Sequence, residues 1–253
     1  MQTKALRTLA VYYAPPFPPP YSYYYTLTIQ WQSSGLSVTY DLEYTNREEL
    51  SEEEILAEGF TLDDDYHWQG TLSEVWREVL ERMIEDTTTL NDQPVEVSEA
   101  LLELTLQYAA QQQEGRPNNA SAWDYCLQEL IQAIYEASKK ERPLEIRYLN
   151  IAKADSLLVH FQASFLHRRL TVKTVLPREN TRTIHWDQLQ PLLQAVYTPD
   201  YDPEGSSTER PQQPGRYIDP GDGYWYLLGQ QVTNPGNRDV IKTLNDIIYN
   251  LLS

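Results

Sequence analysis

The chain is 253 residues long, with 37 acidic and 20 basic side chains, a net charge of −17 and a single cysteine. That length buries a core without staples, one cysteine closes no internal disulfide, and the acidic balance argues against nucleic acid, whose phosphates are held by Lys and Arg. No apolar run approaches the ~20 residues that span a bilayer, and the first residues lack the pattern of a secretion signal, so a cytoplasmic protein with no membrane attachment is the expectation.

In chain order, Leu6 to Tyr13 reads as a short edge strand with Leu9, Val11 and Tyr13 on one face. Pro15, Pro16, Pro18, Pro19 and Pro20 follow, and proline, with its fixed φ and missing N–H, predicts a polyproline II crossover packed on the protein. Pro18, Pro19, Pro20 and Tyr21 also spell a Pro-Pro-x-Tyr ligand of WW domains, a match of four residues. Ser22 to Thr45 carries the clearest pattern. Tyr23, Tyr25, Leu27, Ile29 and Trp31 alternate with mostly polar residues, and after Ser33, Ser34 and Gly35 the parity switches to Leu36, Val38, Tyr40, Leu42 and Tyr44. Strand side chains point alternately to opposite faces, so this is a hairpin with one apolar and one polar face.

Glu48, Glu49, Glu52, Glu53, Glu54 and Glu58 then surround Ile55 and Leu56, with Ser51 and Gly59 suited to begin and end a short solvated helix. Asp63, Asp64, Asp65, Tyr66, His67 and Trp68 lead into Thr71 and Glu74, whose spacing predicts a capping box and a helix to about Glu85. Its buried stripe is Leu72, Val75, Trp76, Val79, Leu80 and Met83. Within Pro94 to Gln113, Leu102, Leu104, Leu106 and Tyr108 alternate as a strand, and Asn119 opens a helix to about Lys140 that presents Trp123, Leu127, Leu130 and Ile134 inward.

In the remainder, Leu144 to Tyr148, Leu157 to Phe165 and Leu170 to Val172 read as a second three-strand meander. A helix with Trp186, Leu189, Leu192, Leu193 and Val196 ends before Pro199, and Thr198 to Gly223, rich in Pro, Gly, Ser and Asp, reads as a flexible loop. Tyr224 to Val232 suggests one more strand, and Asn234 with Pro235 opens a last helix bearing Leu244, Ile248 and Leu251.

The expected fold class is therefore α+β, with two similar strand-strand-strand-helix-strand-helix halves whose antiparallel sheets are covered by helices on one face. The halves are 1–142, acidic with a net charge of −16, and 143–253, carrying the loop at 198–223, either as two modules or as one pseudo-symmetric domain. Thr28 to Gln32 matches Leu158 to Gln162, His67-Trp68 matches His185-Trp186, and Leu127, Leu130, Ile134 and Tyr135 match Ile241, Leu244, Ile248 and Tyr249. The strand at Leu102 takes the place of Tyr224 to Val232.

Nucleophile elbows, phosphate loops, dinucleotide fingerprints and paired metal-ligand motifs are missing, and Cys126 sits among core positions of a helix. No cofactor or metal is implied. The catalytic candidates are His67 with Asp63, Asp64 and Asp65, and His185 with Asp187, because imidazole beside carboxylate supports acid and base chemistry. Six of 19 tyrosines, Tyr12, Tyr13, Tyr21, Tyr23, Tyr24 and Tyr25, crowd together, and tyrosine suits interfaces. The leading expectation is a non-enzymatic protein-binding module, of inhibitor or immunity type, that meets a basic protein partner through Glu48, Glu49, Glu52, Glu53, Asp63, Asp64, Tyr23 and Tyr24. The alternatives are a hydrolytic enzyme and a homo-oligomeric structural or particle-associated protein.

Overall fold

Period-two alternation builds the first sheet. In the computed structural model, which describes residues 6–33, 35–91, 96, 98–153, 155–236 and 239–252, β1 (Leu6–Ala14), β2 (Tyr23–Gln32) and β3 (Gly35–Tyr44) form an antiparallel meander. Trp31 stands opposite Leu36, so the apolar residues of β2 and β3 share one face. Ser34 lies outside the described residues, as does Pro94 further on. The chain continues through α1 (Glu52–Ala57), β4 (Tyr66–Leu72), α2 (Glu74–Asp86), β5 (Leu90–Asn91), β6 (Leu101–Tyr108), β7 (Gln112–Pro117) and α3 (Ala120–Ala137). Among the described residues the sheet has seven strands in the order β4-β3-β2-β1-β6-β7-β5.

Three expectations change here. β1 is no edge strand: it lies between β2 and β6, pairing Leu9 with both Ile29 and Leu106. The approach to the second helix is a strand, because Tyr66, Trp68 and Leu72 face the sheet's apolar side while His67, Gln69 and Thr71 face outward. Gly70 interrupts that alternation in the sequence; a Cβ there would come within 2.3 Å of the Trp68 ring, which lies across it. The helix accordingly starts later, with Ser73 rather than Thr71 at the N-cap and no side-chain cap bond.

Leu9, Val11, Leu27, Ile29, Val38 and Leu104 are fully or almost fully buried on the apolar face. Trp76 and Leu80 of α2 and Trp123, Leu127, Leu130 and Ile134 of α3 complete this core. Arg77 of α2 donates to the carbonyls of Gln32 and Gly35, and the Trp31 indole N–H donates to Glu81 at 2.9 Å, so the hairpin end and the helix are tied on that side.

The chain divides into two compact units, Met1–Glu141 and Arg142–Ser253. The second contains β8 (Leu144–Ile151), β9 (Ser156–Ser164), β10 (Arg169–Leu176), β11 (Asn180–Ile184), α4 (Leu189–Tyr197), β12 (Asp200–Tyr201), β13 (Gly215–Asp219), β14 (Tyr226–Leu227), β15 (Val232–Thr233) and α5 (Val240–Leu252). Its main sheet runs β11-β10-β9-β8-β13-β14, and β12 pairs with β15 separately. Ile146, Tyr148, Val159, Phe161, Leu192, Val196, Leu244 and Ile248 form its principal core.

Residues 198–223 are therefore not a loop throughout. β13 runs Gly215-Arg216-Tyr217-Ile218-Asp219 and pairs along β8, its alternation too short to stand out between Pro, Gly and Ser. The expected strand at 224–232 breaks into β14 and β15, and it is β13 that takes the place beside the first strand that β6 takes in the first unit. Each meander has four strands rather than three. The α+β class with antiparallel sheets stands.

Candidate functional site

The acidic segment between β3 and β4 is organised around one inward-turned cation. Asn46 adopts a left-handed conformation, φ 59°, where the chain leaves β3, and Arg47 folds back with its guanidinium 3.9 Å from the Tyr44 ring centroid and 4.8 Å from that of Phe60. It donates to Asp64 Oδ2 at 2.8 Å, to the Thr61 carbonyl at 3.0 Å and to the Pro20 carbonyl at 3.4 Å. Asp64 also accepts from the Thr61 amide at 2.9 Å and hydroxyl at 2.6 Å. Partial burial pushes the Asp64 carboxyl pKa up, but the bonds from Thr61 and Arg47 together outweigh it and hold it below the ordinary value.

The next turn is a reciprocal cap. The Ser51 hydroxyl accepts from the Glu54 amide, and the Glu54 carboxylate accepts from the Ser51 amide at 2.8 Å, which with the Ser51 hydroxyl bond lowers its pKa. Ile55 is the one buried side chain of α1. With Arg47 and Ile55 as anchors, Glu48, Glu49, Glu52, Glu53, Glu58 and Asp63 are all exposed, and Leu56 and Leu62 are exposed among them.

Tyr21 belongs to the same surface. Its amide donates to the Pro18 carbonyl at 2.9 Å in a turn, its ring meets Phe60 edge-on at 5.2 Å, and its hydroxyl donates to Glu58 at 2.5 Å. The Pro-Pro-x-Tyr stretch is thus folded into a turn rather than presented as an extended polyproline ligand.

The latch between Arg47 and Asp64 gives a pH-dependent expectation. A carboxyl whose folded pKa is depressed stabilises the fold above its unfolded pKa of ~3.9, and that contribution disappears as pH falls through the lower folded value. Asp64→Asn should therefore melt below the parent chain at neutral pH, with the gap closing as the pH is lowered past 4. A gap unchanged at pH 2 would show that the ionised carboxylate contributes nothing.

The tyrosines divide by parity. Tyr23 points to the apolar side, with ring centroids 6.0 Å from Tyr44 and 6.3 Å from Phe17, and burial raises its pKa. Along that side run Tyr13, Tyr25, Tyr40, Tyr66 and Tyr135 in successive ring contacts, with the Lys140 ammonium 4.2 Å from the Tyr66 centroid. Tyr24 points the other way, stacks on Tyr12 at 5.7 Å and donates to Glu43, a bond that pushes its pKa up to about 12. Tyr23 and Tyr24 therefore do not share one contact surface, and Asp64, spent on Arg47, serves the fold.

Three of the four histidines are each met by one carboxylate. His67 Nδ1 is 2.5 Å from Asp41 Oδ1 across β3 and β4, while Asp65 accepts from the Tyr44 amide at 2.8 Å. In the second unit, His185 lies 3.2 Å from Asp187 with both side chains exposed, and His160 lies 2.7 Å from Glu145. The described residues contain no group of three His, Cys, Asp or Glu side chains placed to hold a metal ion. Cys126 is buried within α3. Trp186 packs edge-on against Phe165 at 5.4 Å under the Arg168 guanidinium.

One pair of the second unit has no signal in the sequence. Asp219 at the end of β13 is buried and accepts from the Arg147 guanidinium, a partner that only the β8–β13 register brings opposite. No described helix is long and apolar enough to cross a membrane. Compared with protein-family models, curated proteins and solved structures, the chain matches none of them.

Proposed function

We propose that the chain is a non-enzymatic binding protein of the reducing cytoplasm, of inhibitor or immunity type, whose first half docks a basic surface of a partner protein. One observation carries this reading. Between Asn46 and Asp64 the single cation, Arg47, is turned inward, whereas Glu48, Glu49, Glu52, Glu53 and Asp63 are turned to solvent around exposed Leu56 and Leu62. Carboxylates of one sign around apolar contacts suit a partner bearing Lys or Arg beside an apolar anchor.

The test is Glu48, Glu49, Glu52 and Glu53 together changed to Lys. A partner recovered with the parent chain should bind this variant at least tenfold more weakly, chiefly through slower association, and the parent affinity should fall with salt. Affinity indifferent to both the substitutions and the ionic strength would end the proposal.

We also infer that the two halves descend from one duplicated module. The support is topological: β4-β3-β2-β1-β6-β7 and β11-β10-β9-β8-β13-β14 have the same order, with one helix after the fourth strand of each and another at its end. On this reading β2 is paired with β9 and α3 with α5. His67-Trp68 and His185-Trp186 do not correspond, since the first pair lies within β4 and the second follows β11. A crystal structure with a different strand order in either half would remove this inference.

A further inference from the structure

We propose a second docking surface, independent of α1: the face of the first sheet opposite α2 and α3, which takes a basic α-helix of a partner protein. Both α2 and α3 pack on the opposite side, where Trp31 meets Glu81 and Tyr40 meets Tyr135. The outward residues Gln30, Glu43, His67, Gln69, Thr71 and Glu103 are exposed.

Register fixes the shape of this face. Ala10 stands between Thr105 and Thr28, and Thr28 stands beside Thr39, so the centre is a floor of short side chains. One row along, Glu103 opposes Tyr12, Tyr12 opposes Thr26, Thr26 opposes Asp41, and Asp41 opposes His67. Three interstrand steps of ~4.8 Å separate the Glu103 flank from the Asp41 flank, roughly 14 Å. That spacing matches a single helix, which is about 10–12 Å across with its side chains. Glu114 widens the first flank beyond Thr105, and Glu43 extends the second.

Charge selects the occupant. β2, β3, β4 and β6 contain no Lys or Arg, and Arg116 of β7, on the same side as Glu114, is met by Glu99 at 3.6 Å, while Asp41, Glu43 and Glu103 all face outward. A second copy of this face would set acid against acid, and anionic lipid or nucleic acid would be repelled. A helix with small residues against the floor and Lys or Arg along both edges meets a carboxylate on each side, and the Tyr12–Tyr24 stack offers an apolar contact at one end.

The test uses the full chain and a 20-residue Ala-rich helical peptide with Lys at positions that place cations on two edges. Fluorescence anisotropy in low salt should show binding, and amide shifts should centre on Thr26, Thr28, Thr39 and Asp41. Thr28→Arg with Thr39→Arg, judged folded by circular dichroism, should weaken the peptide at least tenfold, and Glu103→Lys with Glu43→Lys should do the same should the first variant not fold. The Lys substitutions at Glu48, Glu49, Glu52 and Glu53 should leave peptide affinity within about twofold. No binding, or binding lost only with the α1 substitutions, overturns this surface, the latter leaving the α1 proposal intact. Peptide loss confined to the sheet variants supports it whatever becomes of α1.

Discussion

Asp219→Asn should destabilise the second unit by about 3 kcal/mol, read as a lower urea midpoint and faster amide exchange in residues 142–252. Asp219 is 1 % exposed. Its Oδ2 accepts from two guanidinium nitrogens of Arg147, one at 2.7 Å, and its Oδ1 accepts from the amides of Gly221 at 2.8 Å and Gly223 at 3.1 Å. Those two glycines, at φ 118° and 88°, wrap the chain around the carboxylate in a conformation that side chains with a Cβ rarely adopt.

Breaking a buried ion pair costs ~3–5 kcal/mol because the surviving charge is left uncompensated. Arg147 retains 31 % of its side-chain exposure and also sits 5.0 Å from the Trp225 ring, so some of its charge can be rehydrated and the lower end is expected. Asn keeps the oxygen that serves the two amides. Asp219→Ala removes it as well and should cost more than Asn does. Equal urea midpoints for the parent and Asp219→Asn would show that the pair does not hold β13 against β8.

Trp123→Ala should remove about 3–5 kcal/mol from the first unit, the cost of deleting a large, fully buried aromatic side chain. The loss is more than volume. The Trp123 indole N–H donates to Thr87 Oγ1 at 2.9 Å, and the same hydroxyl lies 2.8 Å from the Met83 carbonyl and 3.1 Å from Asn119 Oδ1. The C-terminal end of α2 and the N-terminal end of α3 are therefore joined at one half-buried polar point. Trp123→Phe, which keeps most of the ring but not the donor, should cost on the order of 1 kcal/mol. Urea unfolding distinguishes the two, and an Ala variant as stable as the Phe variant would mean that the core closes over the vacated space.

The same residues show what a sequence can and cannot carry. The ribbon of β2 and β3 was legible because its period of two runs unbroken on both sides of a turn, and α3 and α5 because their Leu and Ile recur at helical spacing. β4 was hidden by Gly70, whose missing side chain makes room for Trp68, and β13 by its five-residue length. The position of β1 beside β6 depends on a pairing between distant segments that no local pattern encodes. At the acidic segment, composition revealed the excess of carboxylates but not their division. Asp64 and Asp65 bond within the fold, while Glu48, Glu49, Glu52 and Glu53 are left to solvent.

The central place of β1 also bears on how the chain is made. β2, β3 and β4 follow β1 closely and can fold onto it as they leave the ribosome, but the strand that covers its other edge, β6, pairs Leu9 with Leu106. At ~5–20 residues per second, that edge waits on the order of ten seconds with its N–H and C=O groups unpaired. β8 repeats the arrangement, since β13 arrives only after the rest of its meander and α4. Each nascent half thus carries a temporary template for strand addition, and slowed translation between β4 and β6 should raise aggregation more than the same delay placed after α3.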